Sequence, residues 1–266
     1  MTENSAPDVK GIVRILTKWR YTILLMILAA TTIAFVTAFL LPKQYLSSAI
    51  IFPANSLLTD KGHLFNNNIQ QLYSPYGNSD DLDRLYAISS SSGILGFVCD
   101  SLHLSDHYLL DRSPSREIIA QRQLKKNTAF LKSENGELHI EVWDRDNQVA
   151  AVIARVILYK IQQVSNDLIM QSNIPVLNAL RQSEKLYDDT LSSSGHELRV
   201  NLLEQRAKEL EVNLKSIPPA FAILENPSPS LKPDKPDILL ITIAALFLSS
   251  VFSVICVLII ERLRIK

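Results

Sequence analysis

Glycine and cysteine are both scarce in this chain, and each shortage removes a class of function. The seven glycines stand at positions 11, 62, 77, 93, 96, 136 and 195 of 266 residues. They build neither the G-x-x-x-x-G-K-[ST] loop that cradles phosphates nor the G-x-G-x-x-G turn of a dinucleotide site. A fused nucleotide-driven kinase is thereby excluded. The two cysteines, Cys99 and Cys256, are too few for a disulfide scaffold. Cys256 lies inside an apolar run, so the two are not expected to pair, and Cys99 reads as a small apolar filler. Five histidines (63, 103, 107, 139 and 196) are scattered. His103 and His107, with Asp100 and Asp106 beside them, have the i, i+4 spacing of a helical metal pair. The plainer reading of His103–His107 is a loop of solvated polar side chains. Asp80, Asp81 and Asp83 lack the glycine and distal glutamate of a calcium loop and read as a helix cap. Asp144 and Asp146 have the look of an acid/base pair, but capping a long helix is the plainer role. Ser89–Ser92 holds no nucleophile elbow. No catalytic set, metal or cofactor is expected. A basic patch with interleaved aromatics is also missing, which argues against nucleic acid.

Charge is absent from two long stretches. Between Asp237 and Glu261 lie 23 uncharged residues, about 34 Å as a helix and enough to cross a bilayer. Residues 21–41 mirror that run near the other end. A secretory signal competes for the first run, with Val36-Thr37-Ala38 as a weak cleavage site. Its apolar core of about 20 residues exceeds the usual 7–15, so a retained anchor is expected. Lys10, Arg14, Lys18 and Arg20 precede the first run, and Arg262, Arg264 and Lys266 follow the second. Both tails should therefore stay in the cytoplasm while 42–237, with 20 basic and 24 acidic residues, is exported. Val9 to Trp19 is amphipathic, and Trp19 and Tyr21 suit the headgroup zone. Ala30, Ala34 and Ala38 repeat at i, i+4 and i+8 in the first run, as do Ala245, Ser249 and Ser253 in the second. Small residues at that spacing allow close helix approach, within a chain or between copies.

The middle reads as α+β. Residues 44–52 (QYLSSAIIF) make a plausible strand ended by Pro53, and residues 55–79 are polar, with Asn66-Asn67-Asn68 and a Ser74-Pro75-Tyr76-Gly77 turn. A helical pattern runs from Asp80 through Leu82, Leu85 and Ile88, then Ile94, Phe97 and Val98. Ser113-Pro114 opens a helix to about Lys126. Leu138, Ile140 and Val142 alternate with polar neighbours as a half-buried strand. Asp146 caps a long helix to about Leu191, with Pro175 as a kink. Ser192–Gly195 breaks it, and Val200, Leu203, Ala207, Leu210 and Leu214 step as the packing stripe of a return helix. Glu204 and Lys208 support its exposed face. This predicts a helical hairpin over about 146–215, with Phe221–Leu224 as a strand on the way back. Pro227, Pro229, Pro233 and Pro236 keep the approach to the second apolar run extended.

This order resembles the Wzz-type chain-length determinants, or polysaccharide co-polymerases. The residues that carry the likeness are Trp143–Ile161, where Asp146 precedes Ala150 and Ala151, and Ile223–Leu240, with the proline motif Pro229, Pro233 and Pro236. The resemblance implies a membrane-proximal α/β base with a protruding long helical hairpin, flanked by two transmembrane helices at 21–41 and 238–260. Cytoplasmic tails at 1–20 and 261–266 and an exported domain at 42–237 complete the expected organisation. Two departures bear on oligomer size and product length: the second span has no glycine, and the hairpin is shorter than in larger members. The resemblance further implies a non-enzymatic inner-membrane protein that forms a homo-oligomeric ring. Such a ring sets the chain length of a surface polysaccharide made by a separate polymerase. Six residues follow the second span, so a tyrosine kinase partner would be a separate chain. The rival reading is a two-span adaptor or sensor serving a cytoplasmic kinase or export complex.

Overall fold

The computed structural model describes residues 9–55, 76–110, 115–188, 194–215, 217 and 219–264, and it divides into two compact units. Residues 45–231 form one unit. Its sheet has four strands in the order β2-β3-β1-β4: β1 (Tyr45–Pro53), β2 (Thr128–Lys132), β3 (Leu138–Asp144) and β4 (Phe221–Glu225). All neighbours are antiparallel, with Ala49 opposite Ile140, Phe130 opposite Ile140 and Phe52 opposite Ala222. The register of β1 with β4 shifts between Ile50 and Ile51.

Strand alternation decides which face is covered. Ala49 and Ile51 of β1 and Leu138, Ile140 and Val142 of β3 are wholly buried. They meet apolar side chains from α3 (Ser79–Ser89), α4 (Ser92–Ser101), α6 (Arg116–Lys126) and α7 (Asn147–Asp188) in one core. Leu85, Val98, Leu124, Ile153, Ile157 and Ile161 are the main helical contributors. Cys99 is buried in that core as a filler. β2 was not legible in the sequence as a strand. It pairs along β3 and forms one edge of the sheet.

Several local expectations are corrected. The cap of α3 is Asn78, whose side chain accepts from the N–H groups of Asp80 and Asp81, while Asp81 accepts in return from the Asn78 N–H. This is a capping box, so of the three aspartates only Asp81 takes part. Residues 104–107 form a one-turn helix, α5 (Leu104–His107), rather than a loop. The expected Ser113-Pro114 start, Asn66-Asn67-Asn68 and Ser192-Ser193 lie outside the described residues.

α7 is a 42-residue helix, about 63 Å at 1.5 Å per residue. It continues through Pro175 as expected, with that ring denying one backbone donor. Its first half is bedded on the sheet, and its second half packs on α8 (Ser194–Lys215). Ser194 and Gly195, read as a break, open α8. Along α8, Ala207 is buried and Val200, Leu203, Leu210 and Leu214 are half-buried, so the 3-and-4 stepping marks the packed face. Lys208 pairs with Glu204, and Arg181 of α7 donates to Glu211 at 2.6 Å.

The other unit joins residues up to 44 with those from 232 onward. It contains α1 (Val9–Lys18), α2 (Arg20–Leu40) and α9 (Ile238–Arg264). α2 and α9 are long and apolar enough to cross a membrane. Gln44 donates to the Lys235 carbonyl at 2.9 Å and accepts from the Asp234 N–H at 2.8 Å, tying the chain ahead of α9 to the chain after α2. Asp237 Oδ1 accepts from the Leu240 N–H and so caps α9.

Candidate functional site

In an apolar span every backbone polar group must be satisfied inside the helix, and a side-chain hydroxyl has no water to turn to. Thr31 and Thr37 of α2 and Ser249, Ser250 and Ser253 of α9 all donate to carbonyls three or four residues back on their own helix. These hydroxyls therefore leave α2 and α9 to associate by close packing. The two helices lie against each other. Ala38 is 2% exposed and Ser253 is fully buried. Ala34, Ala245 and Ser249 are half-buried, while Ala30 is exposed. The described structure thus brings five of the six small residues to covered positions and leaves Ala30 outside. Ile27 and Thr31 are half-buried beside the position expected for it.

The end of the pair carries a feature that the sequence did not signal. Glu261, 9% exposed, accepts from Lys18 Nζ at 2.7 Å and from Trp19 Nε1 at 3.0 Å. Lys18 and Trp19 sit where α1 gives way to α2, and Trp19 has a ψ of 13°, off the helical value. One carboxylate therefore holds the α1–α2 joint against the last turns of α9. The residues are more than 240 positions apart, so no spacing rule could pair them.

Asp146 stands at the opening of α7, where its Oδ1 accepts from the N–H groups of Gln148 and Val149. Asp144 is 2% exposed and accepts from the Asp146 N–H and from His107 Nε2 at 2.8 Å. His107 is thus an exposed residue whose ring is also a partner of a buried carboxylate, and His103 is exposed with a left-handed φ of 49°. Tyr108 beside it has its phenol pushed up by burial and then by the Asp144 and Cys99 charges. The Cys99 thiol is pushed up to about 11 by burial and by Asp100, which keeps it protonated and unreactive at neutral pH. Among the described residues no three His, Cys, Asp or Glu side chains converge on a common metal position.

The proline segment lies between β4 and α9. Asn147 Nδ2 donates to the Ser230 carbonyl at 3.0 Å, next to Pro229. Pro233 and Pro236 flank the backbone that Gln44 binds. A groove of about 350 Å³ runs along α3 and α7 and is lined by Asp81, Arg84, Leu85, Ser165, Leu168 and Pro219 among others. The Ser165 hydroxyl is buried there without a hydrogen-bond partner among the described residues.

Residues 7–98 match the family model described as Wzz, chain length determinant protein. The matched stretch takes in α1, α2, β1, α3 and most of α4, so it includes Ala30, Ala34 and Ala38. Asp146, the proline motif and the α9 stripe lie beyond it. Among solved structures, the chain is similar to a full-length bacterial polysaccharide co-polymerase at 13% identity, covering 98% of both chains with a TM-score of 0.45. It is also similar to a fragment of WzzB, a polysaccharide co-polymerase from Salmonella Typhimurium, at 13% identity. That likeness covers 73% of this chain and 100% of the fragment, with a TM-score of 0.41. No curated protein matches the chain in sequence.

Proposed function

We propose that this protein is a polysaccharide co-polymerase that regulates the chain length of a surface polysaccharide built by a separate membrane polymerase. The observation that carries the reading is the match of residues 7–98 to the chain length determinant family. The α+β unit between two apolar helices supports it. In this reading α2 and α9 both cross the inner membrane, and the basic tails hold both ends in the cytoplasm. The residues between the spans lie in the periplasm. Copies assemble into a ring, to which the small residues of α2 and α9 and the α7–α8 hairpin contribute. A growing polymer and its polymerase are the partners, and a separate tyrosine kinase is a further one. The protein does no bond chemistry itself.

The test is an electrophoretic ladder of surface polysaccharide from cells with and without the gene. Deletion should leave synthesis running and shift or broaden the length distribution. Variants that shorten α7 and α8 by matched whole turns should move the preferred length. An unchanged ladder in the deletion strain rejects length regulation, and complete loss of polymer assigns the protein to assembly or export instead.

A further inference from the structure

α1 carries basic and apolar residues and no acidic one, and its partners account for only part of them. Over the described side chains of VKGIVRILTK, Arg14, Thr17 and Lys18 fall on one side of the helix and Val13 and Leu16 on the other. No acidic residue lies in the helix. Ile15 and Leu16 are half-buried and α1 touches α9, whereas Val13 remains 54% exposed. Tyr21, Leu24 and Leu25 in the first turns of α2 are exposed as well.

The acidic residue that would oppose an anionic partner is withdrawn. Glu261 is buried, and its two carboxylate oxygens are taken by Lys18 and Trp19. Arg14 and Arg20 are exposed, and Arg262 lies next to Glu261 at the end of α9 and is also exposed. Three exposed arginines thus accompany the ends of the two apolar helices, while the Glu261 carboxylate is neutralised internally. A basic, amphipathic helix of low mean hydropathy lies in a membrane interface, and basic residues beside a span attract anionic headgroups.

We propose that α1 and the joint at Trp19 form an interfacial docking surface for anionic phospholipid headgroups, contacted by Arg14, Arg20 and Arg262. The phosphate charge meets the guanidinium groups, while Val13 enters the acyl boundary. This rests on the reading of α2 and α9 as membrane spans but not on the polymer partner.

The experiment uses the full chain in nanodiscs of phosphatidylcholine alone or mixed equally with phosphatidylglycerol, and reads hydrogen exchange of residues 9–19. Each basic residue near an anionic surface contributes roughly fivefold in affinity. Exchange in the mixed discs should therefore slow by up to about 25-fold for two such contacts. The slowing should vanish in Arg14→Glu/Arg20→Glu and fade in 0.5 M salt, because screening shortens the reach of exposed charges to a few ångströms. Exchange in α9 serves as the check that each variant stays folded. If the double variant fails that check, the salt titration on the unaltered protein decides. Equal exchange in the two lipids overturns the proposal, as does slowing that survives both charge reversal and salt. A deletion ladder that does not change would reject length regulation and leave this result standing.

Discussion

Replacing Glu261 by alanine tests how the α1–α2 joint is held to α9. Lys18 and Trp19 are partners of unequal worth for this carboxylate. The Lys18 side chain is 57% exposed against 11% for Glu261, so their pair counts with surface ion pairs, at about 0.2–1 kcal/mol. The Trp19 indole N–H donates at 3.0 Å to an ionised acceptor, which contributes about 1.5–3 kcal/mol. Alanine removes both interactions. Because Lys18 turns to water, no uncompensated buried cation is left, and the larger penalty for breaking a fully buried pair does not apply. The expected loss is therefore about 2–4 kcal/mol. Glu261→Gln keeps an acceptor of similar size and forfeits only the charge, so it should cost about 1 kcal/mol. The assay is unfolding in mixed micelles titrated with sodium dodecyl sulfate, followed by Trp19 fluorescence in a Trp143→Phe background. A Lys18→Ala/Glu261→Ala double-mutant cycle isolates the ion pair. An alanine variant within about 0.5 kcal/mol of its parent, or a glutamine variant as weak as alanine, would refute the reasoning.

Among the described glycines, Gly77 is where an added methyl has nowhere to go. A Cβ there would stand 2.7 Å from Asp81 Cβ and 2.8 Å from the Ala54 carbonyl. Gly77→Ala should lower stability by about 1–3 kcal/mol in thermal unfolding, and an unshifted melting temperature would contradict the packing described. With its thiol pushed up to about 11, Cys99 in a Cys256→Ser variant should resist maleimide at pH 7.5 and react once denatured. Rapid native labelling would show that residue to be accessible. In the hairpin, the hydrogen bond from Arg181, then its charge and that of Lys215, hold Glu211 below the usual carboxylate range. A depressed folded pKa gives stability that is full above the unfolded value near 4.3 and is lost as pH falls through the lower folded value. Hydrogen exchange in α7–α8 of Glu211→Gln should then exceed that of the parent at pH 7 and approach it near pH 3. No difference at pH 7 would remove the pair as a contributor.

The elements legible in the sequence were those with a strong local period. β3 shows the alternation of a half-covered strand, and Leu138, Ile140 and Val142 are indeed fully buried. The α8 stripe alternates steps of three and four, which follows the helical period closely, and it marked the packed face. Capping was legible only in part. Asp146 accepts from the first N–H groups of α7 as its place before an apolar-periodic run suggests. Three clustered aspartates drew attention away from Asn78, although Asn78 and Asp81 have the three-residue spacing of a reciprocal cap. β2 escaped because Thr128–Lys132 is short and at a sheet edge, with no residue fully covered to impose a strict pattern. His107 with Asp144 and Lys18 with Glu261 were invisible for another reason. Long-range pairs of this kind leave no trace in the spacing of either partner.

The apolar helices show where such reading stops. A helix that is apolar all round carries no moment, so hydropathy finds the span but does not say which side faces a neighbour. Small residues were then the remaining guide, and the same four-residue spacing was read on both helices. On α9 the row holds: Ala245 and Ser249 are half-buried, Ser253 and Val257 fully buried, and Glu261 nearly so. Such an i, i+4 row is one of the ridges with which helices interlock. On α2 it does not hold as far. Each four-residue step turns the helix by about 40° beyond a full revolution, so Ala30 is rotated by roughly 80° from Ala38. The covered positions of α2 instead run Ile27, Thr31, Ala34 and Ala38, in steps of four, three and four. A ridge on one helix set against a mixed row on the other is a pairing that neither sequence stretch could reveal alone. Substituting Ala34 by leucine should therefore disturb the pair, whereas Ala30→Leu, on the open side, should leave the pair intact.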